Sequence, residues 1–304
     1  MIHGVLNVRK EKGYTSHDVV AKLRGIVGQR KIGHTGTLDP DAEGVLPVCL
    51  GRATKLCDML TDKDKTYEAV LLLGRATDTQ DITGTVLESR EVPEFRPEEI
   101  SDVLQSFVGE YAQVPPMYSA IKVNGRKLYE LAREGKEIER KARIVQIYEI
   151  RIKKTELPRI WMEVRCSKGT YIRTLCHDIG QRLGCLGCME DLLRTRTGRF
   201  RLEDSLTLEE IRRKKEDGSL MEDVIPIDEM FAGYPRMQVR GRGEALAKNG
   251  NPLSLDMLFP YDGKQAKGRQ SIRVYDKEGQ FIAVYKWQEQ KESYQVVKMF
   301  YEKL

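Results

Sequence analysis

No stretch of this sequence approaches the roughly 18 consecutive apolar residues of a membrane-crossing helix. The opening residues, MIHGVLNVRKEKG, lack the apolar centre and the small-residue cleavage site of a secretory leader. Internal repeats and low-complexity tracts are absent. The six cysteines include one Cys-x-x-Cys pair, Cys185 and Cys188, and no second pair at finger spacing. A zinc finger is therefore disfavoured, although Cys176 and His177 stand nearby in the chain. Together these absences lead to the expectation of a cytoplasmic protein whose cysteines are buried thiols rather than disulfides.

What is present is an ordinary globular composition, 40% apolar and 32% charged over 304 residues, enough for one large domain and one small one. The formal net charge of +5 permits a polyanionic partner without requiring one.

Hydrophobic periodicity places the elements. IHGVLNV (2–8) reads as a strand, and Thr15 or Ser16 caps a helix with Val19, Val20, Leu23, Ile26 and Val27 on one face, ended by Gly28. YEAVLLL (67–73) is a strand, with 85–88 expected to pair beside it. Pro97 opens a helix with acids in its first turn, and 126–134 reads as a short helix. Residues 143–152 and 159–166 alternate as two antiparallel strands, and a helix is expected from Thr170 to about Leu183. Thr207-Leu208-Glu209-Glu210 fits a capping box. After a Pro- and Gly-interrupted stretch near 225–235, three strand patterns suggest a small all-β module. Without a regular βαβ rhythm, the larger part is expected to be α+β with an antiparallel sheet.

The stretch GHTGTLDPDAEGVL (33–46) raises a chemical question. Asp39, followed by Pro40, Asp41 and Glu43, is consistent with a helix start. Against this, Gly44 and Pro47 leave room for barely one turn. A calcium loop is a second reading, but its twelfth position, which calls for a bidentate Glu, holds Leu50. The third is a loop-borne catalytic carboxylate, with Gly33 and Gly36 turning the chain around His34 and Pro40 restricting Asp39. A single aspartate without a second acid at fixed spacing suits a nucleophile better than an acid/base pair. Spacing alone leaves all three open.

The segment GHTGTLDPDAEGVLPVCLG (33–51) closely resembles the signature of the TruB family of tRNA pseudouridine(55) synthases. Further blocks match in order: GVLNVRKEKGYTSHDVV (4–20), KTYEAVLLLGRATDTQDITG (65–84), QVPPMYSAIKVNGRKLYELAREG (113–135) and CSKGTYIRTLCHDIGQRLGC (166–185). The C-terminal module resembles, more weakly, the family's PUA-like RNA-binding domain. The resemblance implies a catalytic pseudouridine synthase domain over 1–232, α+β with a mixed, mostly antiparallel central sheet, and a β-rich PUA-like domain over 236–304. The implied reaction isomerises uridine 55 in the T-loop of tRNA by base flipping and an essential aspartate, with no cofactor and no metal. The implied partner is the T-arm stem-loop of tRNA, with no guide RNA and no membrane, and the protein is expected to be a monomer. Subunits of guide-RNA particles share the fold but usually carry terminal extensions, whereas this chain starts just before its first expected strand.

Site roles follow from the same resemblance. Asp39 aligns with the essential aspartate and Arg173 with the arginine that pairs with it. His34 aligns with the residue that helps hold the target nucleotide out of the stack, and Tyr67 with the tyrosine that stacks on the flipped uracil. Tyr171 and Leu192 align with further uridine-pocket residues; taken alone, Leu192 would read as helix core. Two basic clusters are candidates for the RNA surface, Arg194, Arg196, Arg199 and Arg201 in one and Lys122, Arg126 and Lys127 in the other. The chain departs from the family in having Lys10-Glu11 where Lys-Pro is common, in the Cys185–Cys188 stretch, and in the length between Pro252 and Gln270.

Overall fold

In the helix Ser16–Val27, local sequence sets both ends. The Thr15 hydroxyl accepts from the Asp18 N–H at 3.1 Å, while the Asp18 carboxylate accepts from the Thr15 N–H at 2.8 Å. Gly28 closes the helix in the left-handed region, φ 69°, and its N–H reaches the Arg24 carbonyl at 3.1 Å. The computed structural model describes residues 1–61, 63–123, 125–261 and 270–302. Part of the unusually long stretch before Gln270 and the last two residues of the expected 236–304 module lie outside the described residues.

The sheet that organises the larger part has nine strands. From edge to edge run Gly4–Lys10, Glu43–Leu50, Gly187–Thr197, Lys65–Leu73, Arg159–Cys166, Arg143–Glu156 and Gly109–Gln113. Ile32–His34 pairs with Glu43–Leu50, and Phe200–Arg201 with Gly187–Thr197. The pairings are antiparallel except the short contact of Glu43 and Gly44 with Leu193 and Arg194. The fold is thus α+β around a mixed, mostly antiparallel sheet.

Two pairs of helices cover this sheet. Ser16–Val27 and Leu208–Glu216 bury Leu23 and Ile211 against Leu6, Val8, Leu46 and Val48. Pro97–Gln105 and Ile172–Arg182 bury Leu104, Leu175 and Ile179 against Leu71, Ile147 and Ile160. Each such side chain contributes roughly 1.5–3 kcal/mol by leaving water. Gly180 lets the second helix touch the strand beneath it, because a Cβ there would lie 2.2 Å from the Gly187 nitrogen.

One pairing expectation and one element assignment change. Val86–Ser89 pairs with Arg75–Thr77 rather than with Lys65–Leu73, whose two edges are already taken by Gly187–Thr197 and Arg159–Cys166. Leu192 lies on a strand, not in a helix; register shifts between Met189 and Asp191 and between Arg194 and Arg196 interrupt the alternation that would have marked it.

A second sheet follows, in the order Leu258–Pro260, Arg236–Val239, Ile272–Tyr275, Phe281–Gln288 and Ser293–Met299. It also carries the short helix Arg242–Lys248, which the all-β reading missed because Gly241, Gly243 and Gly250 obscure its period. Its own core includes Met237, Val239, Ile272, Val274 and Ile282. Val284 and Phe300 leave that core to join Phe231, Ala53 and Leu56 in a shared apolar cluster.

Candidate active site

The loop from His34 to Glu43 leaves one strand and enters another with a single turn between them. Ala42 N–H reaches the Asp39 carbonyl at 3.1 Å, and the next residue already belongs to the strand Glu43–Leu50. The helix-start reading of Asp39 therefore gives way to a loop. Asp39, Asp41 and Glu43 do not converge as ligands among the described residues; Glu43 is held by Arg9 at 2.6 Å.

Hydrogen bonds fix this loop from several sides. Leu38 N–H donates to the Ser16 hydroxyl at 2.9 Å, and Gly13 N–H to the Pro40 carbonyl at 3.0 Å. The ammonium of Lys10, fully buried, donates to the Pro40 carbonyl at 2.9 Å. Arg194, also buried, donates through Nε to Val45 at 2.8 Å and through Nη1 to Thr37 at 3.3 Å. Gly44 (φ +120°) is required here, since a Cβ would stand 2.2 Å from the Arg194 carbonyl oxygen.

The Asp39 side chain is 40% exposed, whereas its partner Arg173 is 6% exposed. The pair is bidentate, Nε to Oδ2 at 3.0 Å and Nη2 to Oδ1 at 3.3 Å. The rest of the guanidinium is also engaged. Nη1 donates to the Thr79 carbonyl at 3.1 Å and faces the Asp81 carboxylate at 3.5 Å, while Nη2 donates to the Tyr118 carbonyl at 2.9 Å. Asp81 is in turn fixed by the hydroxyls of Thr79 and Thr83 at 2.7 and 2.6 Å. The Arg173 fork has one available orientation, and that orientation sets the carboxylate of Asp39.

The surrounding protein pushes the Asp39 carboxyl above its ordinary value; Arg173 opposes the rise, Asp81 adds to it and Lys10 opposes it. Burial lowers Lys10 to about 8, against the pull of Asp39 and Asp41.

The structure brings most of the expected site residues together. Tyr67, on Lys65–Leu73, is buried in one apolar cluster with Leu38 and Leu192. Burial raises its hydroxyl, and the Arg194 guanidinium counteracts this. Tyr171, half-buried, caps the helix that carries Arg173, and Gln113 brackets its backbone, accepting its N–H at 2.8 Å and donating to its carbonyl at 2.9 Å. His34 sits instead against His17, ring centroids 5.2 Å apart and edge to face. Burial lowers its pKa and His17 lowers it further, so the imidazole is neutral at pH 7.

Arg194 corrects the expected RNA surface. It is a buried strut between the loop and Tyr67. Arg196 is tied to Asp64 at 2.6 Å, while Arg199 and Arg201 are exposed and carry partners of their own, the Glu229 carbonyl and Glu203. Lys122 and Arg126 are exposed. Sequence reasoning missed Lys10, Gln113, Asp81 and Arg194 as parts of the site. Only Asp81 had a local signal, the run of Thr and Asp in TDTQDITG (77–84), and nothing in it points to Arg173. Cys176, Cys185 and Cys188 are buried, and burial raises the Cys188 thiol to about 11. Among the described residues the group that gathers three ligand atoms is Glu244, Asp276 and Glu278, where Lys248 reaches two of the acids at 2.6 and 3.2 Å.

The architecture is that of the pseudouridine synthases. The chain superposes on a solved Cbf5-Nop10-Gar1 complex with a TM-score of 0.73 and 28% identity, covering 98% of this chain and 85% of that one. A second similar structure is an H/ACA RNP bound to a substrate RNA containing 2'-deoxyuridine, with a TM-score of 0.69 and 27% identity over 99% and 86% of the two chains. Residues 24–172 match the TruB family pseudouridylate synthase N-terminal domain, and residues 173–232 match the tRNA pseudouridylate synthase B C-terminal domain. Similar relatives include the tRNA pseudouridine synthase B of Lachnoclostridium phytofermentans, 53% identical over 98% of this chain and 100% of the relative. That of Clostridium tetani is 42% identical over 98% and 99%. The chain belongs to the TruB family of pseudouridylate synthases, and its activity is that of an isomerase.

Proposed function

We propose that this enzyme converts uridine 55 in the T-loop of tRNA to pseudouridine without a guide RNA, and that Asp39 is its essential residue. The relatives' shared name supports tRNA as the substrate. The observation that carries the role of Asp39 is the bidentate Arg173 pair on a carboxylate that remains 40% exposed, open to a substrate on one side and held rigidly on the other.

The isomerisation breaks the bond from ribose C1′ to N1, forms the bond from C1′ to C5, and moves one proton from C5 to the released nitrogen. The target must first leave the stack of its loop. In this reading the extruded uracil lies on Tyr67, whose aromatic face supports the ring before and after rotation. Leu192 and Tyr171 complete the pocket, and neutral His34 holds the place that the nucleotide vacates. Arg173 keeps Asp39 ionised and aimed at the junction of sugar and base. Residues 1–232 form the catalytic domain and 236–304 a PUA-like module that binds RNA away from the pocket; the separate core of the second sheet supports this division.

The test is to incubate pure protein with an unmodified tRNA transcript in excess EDTA, with no other RNA, and to map pseudouridine. Conversion at position 55 is expected. A requirement for an added RNA or a divalent metal, or conversion at another uridine, would overturn the reading.

A further inference from the structure

The edge strand Gly109–Gln113 closes the first sheet on the side away from Gly4–Lys10, paired with Arg143–Glu156. Tyr111 and Gln113, two positions apart, share one face of it. Both reach the helix Ile172–Arg182, which carries Arg173. Tyr111 donates its hydroxyl to the Asp178 carboxylate. Burial and that carboxylate raise the Tyr111 hydroxyl well above its ordinary value, so it stays a donor. Gln113 takes the start of the helix, about two turns away. Its Oε1 accepts from the Tyr171 N–H at 2.8 Å, and its Nε2 donates to the Tyr171 carbonyl at 2.9 Å.

This is an uncommon way to hold a helix start. The usual cap is a short polar side chain on the cap residue itself, and Tyr171 makes no such bond. The Gln113 amide instead grips the Tyr171 backbone in both directions, as a neighbouring strand would. Gln113 is 1% exposed, so a long side chain has been immobilised for the purpose. The Tyr171 carbonyl also accepts the Leu175 N–H at 3.1 Å, which joins the clamp to the first helical turn. A shift of the clamp therefore shifts that turn and Arg173 with it.

A second path starts from the same residue. Gln113 opens the segment QVPPMYSA (113–120), stiffened by Pro115 and Pro116. Tyr118 of this segment offers its carbonyl to Arg173 Nη2 at 2.9 Å. One amide thus locks the helix that carries the guanidinium to the segment that receives it.

We propose that Gln113 is a positioning residue for the isomerisation: by clamping the Tyr171 backbone it sets the Arg173 fork and, through that fork, the aim of the Asp39 carboxylate. This rests on Asp39 acting as proposed above.

The test is a double-mutant cycle on the full chain, read as single-turnover rate at saturating tRNA and as tRNA affinity. Gln113→Met keeps the side chain's bulk and removes both bonds. It should slow the rate about tenfold or more, the effect of a misplacement below 1 Å, with affinity unchanged. Tyr111→Phe, which frees only the far end of the helix, should cost less. In the Arg173→Lys background, Gln113→Met should cost under about twofold more, because the fork it positions is already gone. In the Arg273→Met background its full effect should remain. A wild-type rate in Gln113→Met, a loss confined to affinity, or an undiminished loss on top of Arg173→Lys would each overturn the proposal. So would failure of Gln113→Met to fold, or a lower melting temperature with an unchanged rate, since the residue would then serve the fold alone. An active Asp39→Asn enzyme would sink the reading of Asp39 separately, whatever the cycle gives.

Discussion

Two arginines in this molecule are almost equally inaccessible, the whole residue Arg173 being 5% exposed and Arg273 7% exposed, yet their surroundings differ in kind. Arg273 spends its donors on three backbone carbonyls of the 228–234 segment, with Glu229 at 3.7 Å as its nearest acid. Arg173 divides its donors between two carbonyls and two carboxylates, and one of those carboxylates, Asp39, still faces solvent. A guanidinium closed off by carbonyls is a fastener. One that shares its fork with a half-open acid holds a reactive group in position and leaves it reachable.

The strongest way to test this contrast is to remove the acid. Asp39→Asn should abolish pseudouridine formation in a single-turnover assay while tRNA binding stays within about tenfold, because phosphate contacts dominate affinity. Next is Arg173→Lys. An ammonium cannot hold both carboxylate oxygens, and a misplacement near 1 Å costs on the order of a hundredfold in rate. That loss should show in the single-turnover rate at saturating tRNA, with affinity unchanged; near-wild-type turnover would mean that only positive charge is needed at the position.

The third test is a pH profile. Asp39 must be ionised to act, and its carboxyl stands above the ordinary carboxylate value of 3.8 because of the surrounding protein, with Asp81 contributing. The rate should therefore fall as pH drops through that raised value. Asp81→Asn removes one cause of the rise and should move the acid limb to lower pH. A limb that stays in place would show that Asp81 acts only by orienting Arg173.

The smallest effect on rate is expected at the other arginine. Arg273→Met strands three carbonyls, at about 1–3 kcal/mol for each one left unsatisfied. Thermal unfolding should begin several degrees lower, with the rate at saturating tRNA unchanged; a collapse in rate would erase the distinction drawn between the two arginines. Point substitution is the cleaner probe here, since truncation at 236 would strip Val284 and Phe300 from the cluster they share with Phe231.

Much of the local structure was legible in the sequence. The helix Ser16–Val27, the capping box of Leu208–Glu216 and the alternation of Arg159–Cys166 depend on neighbours a few residues apart, and the structure has all three. Arg194 was misread as surface because nothing nearby in the chain shows that Val45 and Thr37 are its partners. Leu192 was misread as helical because two register shifts disturb the alternation of its strand. At the site, the meeting of Asp39 with Arg173 was expected from family resemblance alone. Their setting of Lys10, Asp81 and the Tyr118 carbonyl joins positions too far apart for spacing to suggest.

The place of Gly187–Thr197 in the sheet has a consequence for how the protein is born. This strand lies between Glu43–Leu50 and Lys65–Leu73, and its residues Leu193 and Arg194 pair with the strand that follows the Asp39 loop. The two early strands have no register with each other until it arrives. At the usual pace of translation that wait is on the order of ten seconds, during which both strands hold unpaired edges. The emerging chain cannot assemble its reactive centre before more than half of it has been made, since Arg173 and Arg194 are also late arrivals. Synthesis order thus sets the earliest point at which the pocket can close, after Gly187–Thr197 has been made.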